Sequence, residues 1–215
     1  MGGDGGGDGQ GQFARLAFDR VVQQFRMVVD EAGIELAAAE IRIGENLLVV
    51  GGSGLHTLHA HVIQRARAAG QRLFHVGRLD ADTEGLLLLT NDGELANRLM
   101  HPKYEVSKTY LATVLGEAKP DLVKRLKEGI ELDDGVAKAD YVQIVDVHNG
   151  QSLIRVELHE GRKHIVRRML KEAGFPVQRL VRTKLHTVQL GDMKPGGLRA
   201  LNSSELTSLY KAVEM

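Results

Sequence analysis

The stretch Gly77-Arg78-Leu79-Asp80-Ala81-Asp82-Thr83-Glu84-Gly85-Leu86-Leu87-Leu88-Leu89-Thr90-Asn91-Asp92-Gly93 constrains the fold more than any other part of the chain. A run of four leucines bounded by turn signals reads as a strand covered on both faces. A charged turn precedes the run, and Asn91-Asp92-Gly93 ends it. Upstream, Leu73–Val76 reads as a second short apolar strand that runs into Gly77. A carboxylate-rich loop is thereby pinned between two buried strands, and loops held by a rigid sheet are where catalytic groups usually sit. Asp80 is the obvious positioned carboxylate, and Arg78 lies on the same side of an extended segment. A turn carboxylate also serves as a cap or a surface residue, and the residues alone leave both roles open.

Downstream signals give both helices and strands. Glu94–Met100 is expected to be helical and to stop at His101-Pro102. Pro120–Glu128 reads as a helix closed by Gly129, and Lys163–Ala173 as a helix closed by Gly174. Thr109–Val114, Tyr141–Val147, Leu153–Leu158 and Leu198–Leu201 read as strands, and Val177–Leu190 as mostly extended. Ser203 or Ser204 is expected to cap a helix over Glu205–Ala212 without a full capping box. Strands joined by hairpins as well as helices predict an α+β fold, a mixed or antiparallel sheet with flanking helices.

The front of the chain is different. Residues 1–12 are Gly/Asp/Gln-rich and are expected to be a disordered tail. Residues 13–70 suggest a helix over 13–32, a strand over 41–50 and a helix over 55–69. Gly51-Gly52-Ser53-Gly54 lacks the Lys-Ser/Thr of a phosphate loop, and His56, His59 and His61 lack a carboxylate at a recognised metal spacing. The absence of cysteine among 215 residues excludes a disulfide framework, thiolate chemistry and a Cys-ligated zinc site. No apolar run suits a membrane span and no signal-peptide pattern opens the chain, so a cytoplasmic protein is expected.

Net charge is zero, with 28 basic and 28 acidic residues, yet the charge is segregated. Arg162, Lys163, Arg167, Arg168, Lys171, Arg179, Arg182 and Lys184 fall in one window with Glu172 as its only acid. Glu160-Gly161-Arg162-Lys163-His164 opens the helix of that window, and a helix N-terminus already favours anions. Crowding cations there suits a polyanionic partner, while a solvated basic face is the plain alternative. Tyr110, in Val106-Ser107-Lys108-Thr109-Tyr110-Leu111, is one of few aromatic rings that can stack on a base; a half-buried strand tyrosine is its plain reading.

Taken together, GRLDADTEGLLLLTNDGELANRL, HPKYEVSKTY, EGRKHIVRRML and VQRLVRTKLHTVQLGDMKPGGLRAL resemble, in order and spacing, RNA pseudouridine synthases of the RsuA/RluB type. EGRKHIVRRM is most similar to the bacterial large-subunit rRNA branch. The resemblance covers about residues 71–213 and implies a catalytic domain over 71–215 with a pseudouridine-synthase-like sheet. It implies an isomerase that detaches uracil from ribose and rejoins it through C5. Asp80 would attack C1′ or remove the 2′ proton, and Tyr110 would stack on the base. Arg167 would pair with the aspartate, and Arg78 would lie near the space left by the extruded nucleotide. Arg162, Lys163, His164, Arg168, Arg179, Arg182 and Lys184 are expected to contact RNA. The implied partner is ribosomal RNA, acted on by a monomer without metal, organic cofactor or required protein partner.

The chain departs from the family pattern in three places. No S4 RNA-binding domain is recognisable in residues 13–70, and no Lys-Pro-x-Gly strand precedes the catalytic segment. Ile165 stands where the family often has a polar residue. Residues 13–70 are therefore expected to replace the missing strand or not to pack, as an out-of-frame or rearranged 5′ coding region would produce. A catalytically impaired RNA-binding relative is the competing expectation, and a poorly folded gene fragment a third.

Overall fold

The structure is a computed structural model that describes residues 48–50, 72–193 and 197–215. Along the described chain the elements are β1 (Leu48–Val50), β2 (Phe74–Val76), β3 (Thr83–Gly85), β4 (Leu87–Thr90), α1 (Gly93–Met100), β5 (Lys108–Leu115), α2 (Pro120–Glu128), β6 (Tyr141–His148), β7 (Gln151–Leu158), α3 (Ile165–Glu172), β8 (Val177–Leu185), β9 (Val188–Gln189), β10 (Leu198–Ala200) and α4 (Ser203–Ala212). The α+β class follows. The expected tail, the helices over 13–32 and 55–69, and the three histidines lie outside the described residues. The strand expected over 41–50 is present in its last three residues.

Two sheets form. The smaller has the order β10-β1-β4-β2 and is antiparallel throughout. The larger has the order β3-β8-β5-β7-β6, with β9 folded back onto β8. Its pairings are antiparallel except β3 with β8, which is parallel. Residues 48–50 thus occupy an interior place between β4 and β10 instead of leaving β4 with a bare edge.

Local chemistry explains most boundaries. β4 is buried on both faces, as its unbroken leucine run requires. Asp92 caps α1 by accepting from Leu95 N at 2.9 Å. That backbone bond, aided by the Tyr210 hydroxyl, holds the Asp92 carboxyl below its ordinary range despite some burial. Asn149-Gly150 makes the two-residue turn between β6 and β7, with φ of 50° and 71°, as a primed hairpin turn requires. Asn202, and not Ser203 or Ser204, caps α4; its side chain accepts from Glu205 N, and Glu205 reaches back to Asn202 N in a complete capping box. The extended run over 177–190 is broken after Leu185, where His186 takes φ of 51° and the chain reverses into β9.

Two cores share the larger sheet. Leu122, Leu126, Val166 and Leu170 of α2 and α3 pack on Ile154, Val156 and Leu180. Leu88, Leu95, Leu99 and Leu209 pack with Val181 and Leu185 on the other side. Adjacent β8 residues serve opposite cores because strand side chains alternate. β3 was not anticipated from the sequence, since Thr-Glu-Gly carries no apolar signal. Its place comes from parallel pairing with Leu180–Arg182, followed by a Leu86 N donation to Arg182 O at 2.8 Å.

Gly85 makes that pairing possible. It has φ of 108°, and a Cβ there would run into the backbone of Arg182. Gly85→Ala is expected to lower unfolding free energy by more than about 2 kcal/mol, read by urea denaturation. A loss under about 0.5 kcal/mol, the range of a neutral surface change, would show that β3 is not held in this register.

Candidate active site

A cleft of about 900 Å³ opens where the two sheets and α3 meet, a volume suited to a ligand of nucleotide size. Its lining includes Arg78, Asp80, Tyr110, Lys163, His164 and Arg182, which come from four separate stretches of the chain. Leu79 is buried, so the residues on either side of it, Arg78 and Asp80, turn toward the cleft. Thr83 N donates to Asp80 O at 2.9 Å and closes the turn that carries the carboxylate.

α3 grips that turn from the other side. His164 takes φ of 52° immediately before the helix, and its Nε2 lies 3.2 Å from Asp80 Oδ1. Arg167, three residues on and so on the same helix face, donates from Nη2 to Asp82 O at 2.6 Å and pairs through Nε with Asp82 Oδ2 at 3.1 Å. Its Nη1 donates to Val177 O. The expected pair of Arg167 with Asp80 is therefore replaced by two others: Asp80 goes to His164, and Arg167 to Asp82. Arg167 spends its donors on the backbone and carboxylate of Asp82 and on Val177 O, and His164 takes the place beside Asp80.

The basic window divides sharply. Arg162 donates to Glu160 Oε2, Asp134 Oδ1 and the carbonyls of Asp134, Gly135 and Val136. Arg168 donates to Asp134 Oδ2 at 2.8 Å, and this bond is the main cause holding the Asp134 carboxyl below its ordinary range. Arg179 makes a two-point contact with Glu84 at 3.0 and 2.8 Å. Arg182 is 2% exposed. These four arginines, expected at the RNA surface, are committed to internal partners or buried. The compensating acids lie far away in sequence, so the window itself could not display them. Lys163 is exposed and has no hydrogen bond or ion pair among the described residues, and Lys184 is half-buried on β8.

Lys108 was passed over in the sequence, where a strand-end lysine gives no signal. Its Nζ donates to Val106 O at 2.8 Å and His159 O at 2.7 Å, at the edge of the same cleft. Burial pushes this ammonium down to about 8, the Arg182 guanidinium adds to the effect, and Asp140 opposes it. Among the described residues no group of three or more His, Asp or Glu is placed to hold a metal ion, and no helix is long and apolar enough to cross a membrane.

The model of the RNA pseudouridylate synthase family matches residues 47–172. The chain belongs to that family. The match begins at the foot of β1, well before the junction expected near residue 70. An RNA pseudouridine synthase of Mycobacterium leprae, otherwise uncharacterised, is 60% identical over 152 residues, covering 71% of this chain and 59% of that one. Ribosomal large subunit pseudouridine synthase B of Bacillus subtilis is 44% identical over 142 residues, covering 65% and 58%. A crystal structure of a pseudouridylate synthase superposes with a TM-score of 0.65 at 29% identity, covering 76% of this chain and 73% of the other. The chain thus spans under two thirds of the length of these two sequence relatives.

Lys108 sets a pH dependence whose sign follows from its depressed value. Between about 8 and 10.5 the unfolded chain still holds the Lys108 proton while the folded protein has released it. Unfolding free energy therefore rises with pH across that window, and the full penalty of burying the charge is present below it. Wild type is expected to gain stability relative to Lys108→Met as pH rises through the window, read as the difference between their urea midpoints. A pH-independent difference would contradict the burial of this ammonium.

Proposed function

We propose that the chain isomerises a specific uridine of large-subunit ribosomal RNA to pseudouridine, with Asp80 acting at the ribose and without metal or organic cofactor. The observation that carries this reading is the placement of Asp80 in the wall of a nucleotide-sized cleft that also holds Tyr110. The choice of RNA rests on the family and on the large-subunit name of the Bacillus relative. A monomer working without a protein partner is part of the same proposal.

The geometry supports a division of labour. A base within RNA must leave its stack to react, and the cleft has room for it. Tyr110 presents its half-buried ring as a stacking surface. Asp80 is then in place either to attack C1′ or to take the 2′ proton as the glycosidic bond breaks. The contact with His164 and the grip of Arg167 on Asp82 fix the carboxylate's turn against α3. Arg78 stands beside Asp80, where the extruded nucleotide leaves the RNA. Lys163, free of internal partners, is the cation of the helix start best placed for a backbone phosphate.

Asp80→Asn is expected to abolish tritium release from [5-³H]uridine-labelled large-subunit rRNA transcript while leaving RNA affinity within a few-fold. Persisting release would remove Asp80 from the chemistry, and a large loss of affinity would make it structural. No release by wild type, with RNA still bound, would favour the impaired RNA-binding relative. Lys163→Ala is expected to reduce the salt slope of RNA binding by about one, and Arg168→Ala by less because Asp134 already takes its charge. Equal slopes for the two variants would contradict this ranking.

A further inference from the structure

Arg182 is a buried cation whose donors are only partly satisfied. Its side chain is 2% exposed, it has no ion pair, and its single hydrogen bond runs from Nε to Leu86 O at 2.8 Å. Nη2 is buried with no partner. A guanidinium carries five N–H donors, and buried donors in folded proteins are nearly always paired. Burying a charge without a counter-charge is costly, so such an arrangement persists where something else completes it.

The position of Arg182 indicates what that is. It is the direct cross-strand neighbour of Tyr110, at a register shift where β5 and β8 depart from simple pairing. Facing residues of an antiparallel pair project from the same side of the sheet at about 5 Å. Both line the cleft that holds Asp80. A ring stacked on Tyr110 therefore has its edge toward the guanidinium. Lys108 adds a second cation to the same wall, with two of its protons spent on Val106 O and His159 O.

We propose that Arg182 is a catalytic residue that stabilises the negative charge on the uracil ring as its bond to ribose breaks, a reading that rests on the isomerase function above. When N1–C1′ breaks, its electron pair leaves with the base and spreads over N1 and the two carbonyl oxygens. C1′ is satisfied by a bond to an Asp80 oxygen or, if the 2′ proton is taken, by a double bond to C2′. Arg182 transfers no proton; it donates hydrogen bonds to a carbonyl oxygen whose charge is largest while the base is detached. On rejoining, C5 bonds to C1′ as the Asp80–C1′ bond breaks or, on the other path, as the proton held by Asp80 returns to C2′; the C5 proton then leaves, and N1 regains a proton. Donors fixed in a dry site before charge develops are the strongest form of such stabilisation.

The test compares the single-turnover rates at which uridine and 5-fluorouridine are consumed in the same rRNA transcript, scored as loss of the parent nucleoside on chromatography of the digest, because 5-fluorouridine has no C5 proton to release. Fluorine stabilises the detached uracil anion by itself. Arg182→Met is expected to slow uridine conversion by about 100-fold, the typical effect of removing one such donor, with RNA affinity within a few-fold and a several-fold smaller loss on 5-fluorouridine. Arg182→Lys keeps a cation in the same strand position, serves if the methionine variant does not fold, and is expected to show a smaller loss with the same substrate dependence. Equal losses on both substrates would make Arg182 structural and overturn the proposal. A loss confined to affinity, with a shallower salt slope, would place a phosphate there and overturn it as well. An inactive wild type would instead defeat the isomerase reading and this proposal with it.

Discussion

Everything in the site hangs on a reciprocal tie between Leu86 and Arg182. Leu86 N donates to Arg182 O, and Arg182 Nε donates back to Leu86 O, both at 2.8 Å. Leu86 is the single residue between β3, which belongs to the larger sheet, and β4, which belongs to the smaller. The chain therefore changes sheets at one residue, and this pair of bonds secures the crossing. Gly85 permits it by letting the two backbones approach where a side chain would not fit. The loop bearing Asp80 runs directly into this joint, so the carboxylate inherits its position from both sheets at once. That position is more rigid than a loop on one sheet edge would provide.

The electrostatics follow from the same economy of neighbours. A helix start crowded with cations repels itself unless something nearby answers it. Here the 133–136 loop answers Arg162 and Arg168, Glu84 answers Arg179, and Asp82 answers Arg167. These bonds fix the loops around the cleft and leave few cations uncommitted. Lys163, exposed at the mouth, and Arg182, buried in the wall, are among the cations that have no ion pair among the described residues.

How much was legible in the sequence tracks how local the cause was. The leucine run of β4, the Asp92 turn, Pro120 at the start of α2 and Gly174 after α3 each carry their own signal within a few residues, and all appear close to where they were expected. β3 did not, because Thr83–Gly85 becomes a strand through β8, a hundred residues away. The true cap of α4 sat one residue outside the serines that drew attention, and its partner Glu205 completes the box. The site shows the same division. Asp80 and Tyr110 stand out because their motifs are contiguous, and both line the cleft. The contact of His164 with Asp80 depends on a left-handed backbone at a residue with no glycine to advertise it, and the tertiary partners of the arginines are invisible in a charge count.

The Asp80 turn is held at two points by α3. Asp80 and Asp82 alternate along the turn, and His164 and Arg167 repeat at helical spacing on α3, so two contacts clasp one short loop. Arg167 spends its reach on the backbone oxygen and carboxylate of Asp82 and on Val177 O, which makes it a brace for the loop. His164 Nε2 meets Asp80 at Oδ1. The brace on Asp82 and the contact on Asp80 thus fall on separate residues with separate partners, and together they fix the turn against α3.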